Sequence, residues 1–235
     1  MGSNTNLLRI YLVIIVLLCT QIANGQMHEL GLHLNATNYI GEVGATSYVN
    51  PDPSQLGYGF FYKRNFTTRY AIRAEIGFAN LAGNDLDSSE PSRRVRGLSF
   101  ENQIAYGSAL FEFNYLDFDL SNFEHTWTPY VFLGVGYHSY DDLYYELGAP
   151  KAQSNRNAST WNLPFGLGIK TKLFHFFVLA AEVKAMYSFS DNIDGSFPTF
   201  GANNDVLNTR LSNDWIILSG ITLSYSFGRP PCYCN

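Results

Sequence analysis

The chain has little cysteine and little positive charge. Among 235 residues there are three cysteines, at positions 19, 232 and 234. No cysteine lies between Cys19 and Cys232, which excludes a disulfide-stabilised scaffold. Lys and Arg number 15 against 20 Asp and Glu, so the net charge is −5 and no basic surface for nucleic acid is expected.

The sequence also lacks the motifs of common catalytic and metal sites. It has no Gly-x-Ser-x-Gly elbow, no phosphate-binding loop and no paired-cysteine metal motif. The histidines after residue 25 are scattered without metal-ligand spacing. His138, with Ser139, Asp141 and Asp142 beside it, is the one hydrolytic candidate, but adjacent residues on a strand point to opposite faces. We therefore expect no catalytic residue, no metal, no cofactor and no small-molecule substrate.

No apolar run is long enough for a membrane-spanning helix. The longest, Leu7–Cys19, falls short of the roughly 20 residues such a helix needs. Ala23 and Gly25 occupy the small-residue positions of a signal-peptidase site, so the sequence predicts a signal peptide over residues 1–25. A short transmembrane anchor and a lipoprotein anchor at Cys19 are alternatives, although a lipoprotein site has a small residue where Leu18 stands.

The chain is rich in aromatic residues (16%) and in two-residue alternation of apolar and polar side chains. Such alternation is typical of half-buried strands. In the fourth of eight such segments the apolar face changes parity near Gly107–Ser108, which predicts a β-bulge there. The eight segments are 29–37, 56–63, 69–80, 98–115, 130–140, 160–171, 177–189 and 215–227.

This pattern predicts an all-β fold, an eight-stranded antiparallel transmembrane barrel of the outer membrane over residues 26–227. Most of the segments are about ten residues or longer, as tilted membrane strands require. Aromatic residues cluster near strand ends, where they would contact lipid at the membrane interface. The last segment ends on Phe227 and resembles the C-terminal signal of outer-membrane barrels. A soluble sandwich is the alternative, since it could bury the same apolar faces.

The connections predict an orientation. With eight strands both termini lie on one side, taken as the periplasm, and the connections on the other side are the long ones. The segment Leu116–Trp127 breaks this rule, because it is long but periplasmic. It carries acids and aromatics that could contact a partner: Asp117, Asp119, Phe123 and Glu124.

The face assigned to the barrel interior carries charges of both signs. Eight strands leave room for side chains but for no continuous channel. Because buried charges are tolerated only when paired, we expect a lumen charge network of Glu29, Arg73, Glu75, Glu182 and Lys184. The alternation predicts further polar residues on the same face: His33, Lys63, Arg69, Glu101, Glu112 and Lys170.

The end of the chain, residues 228–235, is expected to be a periplasmic tail. Cys232 and Cys234 are separated by one residue, so a disulfide between them would close a strained ring. Because the periplasm is oxidising, at least one of them could form an intermolecular disulfide with a partner. Inert thiols are the alternative.

Several motifs, in order over nearly the whole mature chain, resemble PorG-type proteins, the small outer-membrane barrels of the type IX secretion system in Bacteroidetes. The motifs are His28–Gly31, Asn38–Gly44, Thr128–Gly136, Pro164–Lys170 and Tyr225–Tyr233. The final Cys234-Asn235 departs from the pattern, which leaves open which cysteine would carry a link.

The resemblance implies a non-enzymatic protein that sits among outer-membrane lipids. It implies association with a periplasmic ring lipoprotein and its partner subunit, in support of protein secretion and gliding motility. The residues expected to contact this partner, besides those in Leu116–Trp127, are Arg229, Cys232, Tyr233 and Cys234. A stand-alone surface barrel that binds ligands or surfaces through its outer loops is the alternative, and a lipid-modifying barrel enzyme is a more distant one.

Overall fold

The computed structural model describes residues 27–45, 55–120, 126–146, 148–174, 176–196 and 213–228. The predicted signal peptide and the tail from residue 229 lie outside these ranges and stay predictions. Among the described residues, no helix is long and apolar enough to cross a membrane.

Eight strands form one closed barrel in which each strand pairs antiparallel with its neighbours in the chain. The barrel closes where β1 pairs with β8, from Met27 opposite Gly228 to Ile40 opposite Trp215. The strands are β1 Met27–Ile40, β2 Leu56–Asn65, β3 Tyr70–Asn84, β4 Ser99–Asn114, β5 Trp127–Tyr144, β6 Gln153–Lys172, β7 Phe177–Ser188 and β8 Trp215–Gly228.

Alternation places apolar side chains outside and polar side chains inside over much of the wall. In β1, Leu30, Leu32 and Leu34 point outward and are about half exposed, whereas Glu29 and His33 are buried inside. An outward band of large apolar and aromatic side chains is the surface that lipid requires. The predicted eight-stranded transmembrane barrel is confirmed.

The two ends of the barrel differ. At one end, here called the short-turn end, the connections are 66–69, 115–126 and 173–176. At the other, the long-loop end, they are 41–55, 85–98, 145–152 and 189–214. The connection 85–98 contains a 3-10 turn, Asp85–Asp87, and the short helix α1, Pro91–Arg96, which ends at Gly97 in the left-handed region (φ 66°).

The predicted β-bulge near Gly107–Ser108 is wrong. Pairing of β4 with β3 runs without interruption through Gly107 and Ser108, and so does its pairing with β5. A register shift lies instead between β5 and β6, where Asp142 pairs with Arg156 and Leu143 with Ser154, so that Asn155 of β6 is the extra residue. The parity change has another cause: Phe100 and Ile104 belong to an apolar core inside the barrel.

The barrel interior is layered along its axis. At the long-loop end a large apolar cluster fills it, including Phe100, Ile104, Tyr140 and Ile216. Near the middle, Tyr130 and Phe132 pack with Leu110 and Ala180 among buried charges. At the short-turn end a small apolar cluster of Met27, Phe118, Leu120 and Val178 closes the interior. Side chains therefore fill the described lumen from end to end.

Candidate functional site

A first group of buried charges spans the middle of the lumen. Arg73 of β3 donates from Nη1 and Nη2 to the two carboxylate oxygens of Glu182 on β7, at 2.5 and 3.2 Å. Its Nε lies 3.4 Å from Glu75, which also accepts from Lys184 Nζ at 2.5 Å. Tyr130 donates its hydroxyl to Glu182. Three strands are thus joined through the interior by charge-assisted hydrogen bonds.

A second group lies nearer the short-turn end. Lys63 Nζ is 3.1 Å from Glu112 and 3.9 Å from Glu29. Lys170 donates to Glu112, and Glu29 accepts from Ser224 Oγ at 2.6 Å. The two groups together hold four carboxylates and four cations, so their charges balance.

Glycines on β6 make room for the rings that surround these charges. A Cβ at Gly166 would lie 2.6 Å from Phe132, and one at Gly168 would lie 2.8 Å from Tyr130. Phe132 in turn faces the Arg73 guanidinium, 4.7 Å from its ring centre. Rings and charges therefore fill the space between the strands. An eight-stranded barrel has an interior only wide enough for such side chains.

The structure places Glu29, Arg73, Glu75, Glu182 and Lys184 in this interior, together with His33, Lys63, Glu112 and Lys170. Two other residues assigned to the same face lie outside it.

Arg69 precedes β3 and is exposed, because it lies in the turn rather than in the strand. Glu101 points outward in the uninterrupted alternation of β4, where it pairs with Lys151 at 3.2 Å. His138 is fully buried beside Asn162, whose Nδ2 is 2.8 Å from its Nδ1.

The connection after β4 divides its residues between lumen and solvent. Phe118 and Leu120 turn inward, and the Leu120 carbonyl accepts from Lys172 Nζ at 2.7 Å. Asp117 turns outward and pairs with Arg69 at 2.7 Å, which holds the pKa of this exposed carboxyl below its usual value. The buried pair of apolar side chains therefore fixes the place of the exposed Asp117–Arg69 pair at the short-turn end.

The remaining predicted contact residues are placed only in part. Asp119 is half-buried and belongs to the described part of this connection. Six others lie outside the described residues and stay predictions: Phe123, Glu124, Arg229, Cys232, Tyr233 and Cys234. The strand that precedes the tail ends at Gly228, opposite Met27, at the short-turn end of the barrel.

The sequence reasoning missed a cluster of acids at the long-loop end. Oxygens of Glu42, Asp194 and Asp214 lie within 4.8 Å of one another in a buried setting where they could share a metal ion. Asp194 accepts from the backbone N–H groups of Glu42 and Val43 at 3.1 and 3.0 Å. The signal was the run Ser-Asp-Asn-Ile-Asp-Gly at 190–195, whose acids and glycine are typical of a side-chain-bonded turn.

Burial disfavours the charged form of two acids here, Asp214 and Asp191. It raises the pKa of Asp214 well above its usual value, with Asp194 as the nearest repelling charge. Burial, Glu42 and Asp194 together raise the pKa of Asp191 to about 7. The protonated form is therefore favoured at Asp214 and Asp191, in contrast to the ion-paired acids of the lumen.

Another buried acid, Asp85, orders the connection between β3 and β4. Arg96 donates to its two oxygens at 2.7 and 2.9 Å, and the backbone N–H of Leu98 donates to it at 3.0 Å. The same carboxylate accepts from the N–H of Gly44 at 3.0 Å. Asp85 thereby ties α1 to the connection after β1.

Comparison with known proteins identifies one family. Residues 8–235 match the family model described as a domain of unknown function, DUF6089. No curated protein matches the sequence. The chain is similar to the N-terminal β-barrel domain of Pseudomonas aeruginosa OprF, with a TM-score of 0.47 and 10% identity, over 87% of this chain and 98% of that one. It is also similar to Yersinia pestis Ail in complex with the heparin analogue sucrose octasulfate, with a TM-score of 0.46 and 11% identity, over 87% and 99%. A third similar structure is P. aeruginosa OprG, with a TM-score of 0.42 and 10% identity, over 87% of this chain and 97% of that one.

Proposed function

The chain belongs to the DUF6089 family, and we propose that it is a non-enzymatic outer-membrane component of the type IX secretion system. In this proposal the barrel wall holds the protein among outer-membrane lipids, with both termini in the periplasm. The short-turn end tethers the periplasmic ring lipoprotein and its partner subunit beneath the membrane. The tether supports protein secretion and, where the cell glides, motility.

The filled lumen supports a role at the ends of the barrel rather than through it. Balanced ion pairs and packed rings occupy the middle, and apolar clusters close both ends. A conduit would require water-filled space along the axis. The wall therefore serves as the anchor, and contacts with other proteins fall to the connections and the tail.

The observation that carries the proposal is the anchored connection after β4, with its exposed Asp117–Arg69 pair, at the short-turn end. Phe118 and Leu120 are buried in the lumen mouth, so Asp117 is held outward at a fixed place. The strand that precedes the two-cysteine tail ends at the same end of the barrel. Two features suited to contact with one partner, a turn held in a fixed place and a cysteine-bearing tail, thus belong to one end.

Site-specific photocrosslinking in intact cells tests the tether. A benzoylphenylalanine in place of Asp117 is expected to yield an adduct with the ring lipoprotein or its partner. The matched control places the same group at Val95, the most exposed apolar side chain of α1 at the long-loop end. No ring adduct from Asp117, or equal adducts from both positions, would contradict the proposal.

The cysteines are tested separately. If Cys232 or Cys234 carries an intermolecular disulfide, the wild type runs as a larger species on non-reducing gels and the Cys232→Ser/Cys234→Ser variant does not. An unchanged pattern removes the disulfide from the proposal but leaves the photocrosslinking result to decide the tether.

A further inference from the structure

A polar cleft of about 750 Å³ lies at the long-loop end, away from the proposed tether. Its floor is the outward face of the β3–β4 hairpin, where Asn80 is opposite Gln103 and Asn84 is opposite Ser99. Gln55 forms one side, and Lys151 from the connection before β6 forms another. The volume is in the range of sites for small ligands.

The cleft exists because the barrel wall separates above the membrane. Pairing of β4 with β5 ends at Ala105 opposite Ser139, although β4 continues to Ser99 and β5 to Tyr144. The side chain of Asn102 bridges the gap, donating to the carbonyl of Asp141 at 2.8 Å and accepting from its N–H at 3.1 Å. One side chain thus spans the two strands, and no room remains for an inserted peptide strand, which needs about 4.8 Å on each side.

The cleft is lined by primary amides that retain hydrogen-bonding capacity. Gln55 is 3% exposed, and its Oε1 has no hydrogen-bond partner among the described residues. Gln103 donates to Asn80 Oδ1 at 3.0 Å, which leaves the Asn80 amide nitrogen and the Gln103 carbonyl for a ligand. An amide offers donors and an acceptor together, and so does each hydroxyl of a sugar.

The charges of the cleft exclude anions. Asp87, Glu101 and Asp141 line it against one cation, Lys151, which already pairs with Glu101. A sulfated or phosphorylated ligand would meet net negative charge. A metal ion would need converging carboxylates, and in the described part of the chain these converge only at Glu42, Asp194 and Asp214, which do not line the cleft.

We propose that this cleft binds a neutral oligosaccharide through its amide side chains. The sugar comes either from the glycan of lipopolysaccharide in the same membrane or from a free polysaccharide. The binding site and the tether lie at opposite ends of the barrel, so either can fail without the other.

Binding of neutral oligosaccharides to the full-length barrel in detergent tests the proposal. Maltoheptaose and mannohexaose serve as probes, read by saturation-transfer NMR and titration calorimetry, with a heparin hexasaccharide as the anionic comparison. We expect binding of at least one neutral probe, and about tenfold weaker binding for Asn80→Ala/Gln103→Ala. Ala82→Trp, which fills the floor from an outward position, is expected to abolish it, whereas the control Gln153→Ala is expected to leave it unchanged.

Two source arms complete the test. Nanodiscs with lipopolysaccharide bearing a neutral glycan chain, compared with discs bearing truncated lipopolysaccharide, report the membrane source, and the free oligosaccharides report the other. Protection of the cleft residues from hydrogen exchange in either arm supports the proposal. Absence of neutral-sugar binding in both arms, preference for heparin, or binding that Asn80→Ala/Gln103→Ala and Ala82→Trp leave intact would overturn it.

Discussion

The two halves of the barrel use the same strands in opposite ways. In the short-turn half, large apolar side chains such as Phe111 face outward and charged ones such as Glu112 face inward. In the long-loop half of the same strand, Phe100 and Ile104 face inward while Glu101 and Gln103 face outward. The register is uninterrupted, so the change reflects the medium outside the wall. Where lipid ends and water begins, the strand follows the rules of a soluble barrel.

Loss of a lumen cation would break the short-turn half. Arg73→Ala leaves Glu182 and Glu75 without their shared cation inside the barrel. Removal of one partner of a buried ion pair leaves the other charge buried without compensation. We therefore expect the free energy of unfolding to fall by about 3–5 kcal/mol. Urea unfolding in detergent micelles, followed by the gel shift of the folded barrel, measures it. The exposed pair provides the control, since Arg69→Ala is expected to leave the free energy of unfolding nearly unchanged. Equal costs for the two variants would mean that the lumen pairs are solvated.

Loss of an apolar side chain inside the long-loop half would test its core. Ile104→Ala is expected to lower the free energy of unfolding by about 2–4 kcal/mol, because a cavity is left in a packed cluster. Ile76→Ala, on the lipid-facing side of β3, is expected to cost less, since lipid can fill the space. The same unfolding assay compares them, and a larger cost for the Ile76 variant would contradict the assignment of faces.

A change of pH is expected to alter the stability of the long-loop half by a smaller amount. Asp191 and Asp214 have pKa values raised above those of the unfolded chain, so the folded state binds more protons. Their contribution to stability is full below about pH 4 and is lost as pH rises through about 7 for Asp191. We expect the melting temperature of the wild type to fall between pH 5 and pH 8, and that of Asp191→Asn/Asp214→Asn to fall less. Asp87→Asn, which changes an exposed acid at the same end, is the control and should keep the wild-type slope.

Much of the membrane half could be predicted from the sequence. There the lipid-facing rows are uniformly apolar, so the period of two identifies both faces, and the charged residues of the opposite row must be inside. Glu29, Arg73, Glu75, Glu182 and Lys184 follow from this reasoning alone. Their partners do not, because pairing across the lumen depends on strand tilt and register.

The long-loop half could not be predicted in the same way. The prediction assumed one medium along each strand, so the inward Phe100 and Ile104 were assigned to the lipid face and a bulge was introduced to explain them. Ile216 and Leu218 at the start of β8 carried the correct signal, an apolar pair on the otherwise polar face. The run at 190–195 predicts a turn around Asp194 but not its meeting with Glu42 and Asp214, because residues from distant loops come together there only after the barrel closes.

Site-directed spin labelling along β4 tests the change of medium most directly. Single labels at the outward positions 101, 103, 105, 107, 109 and 111, in a Cys232→Ser/Cys234→Ser background in nanodiscs, report access to oxygen and to a water-soluble nickel complex. We predict mobile labels at all six positions, with nickel access at 101 and 103 and oxygen access from 107 to 111. Two further single labels, at the inward positions 100 and 104, complete the series. Immobile, inaccessible labels at 101 and 103 together with mobile labels at 100 and 104 would restore the bulge and contradict the account.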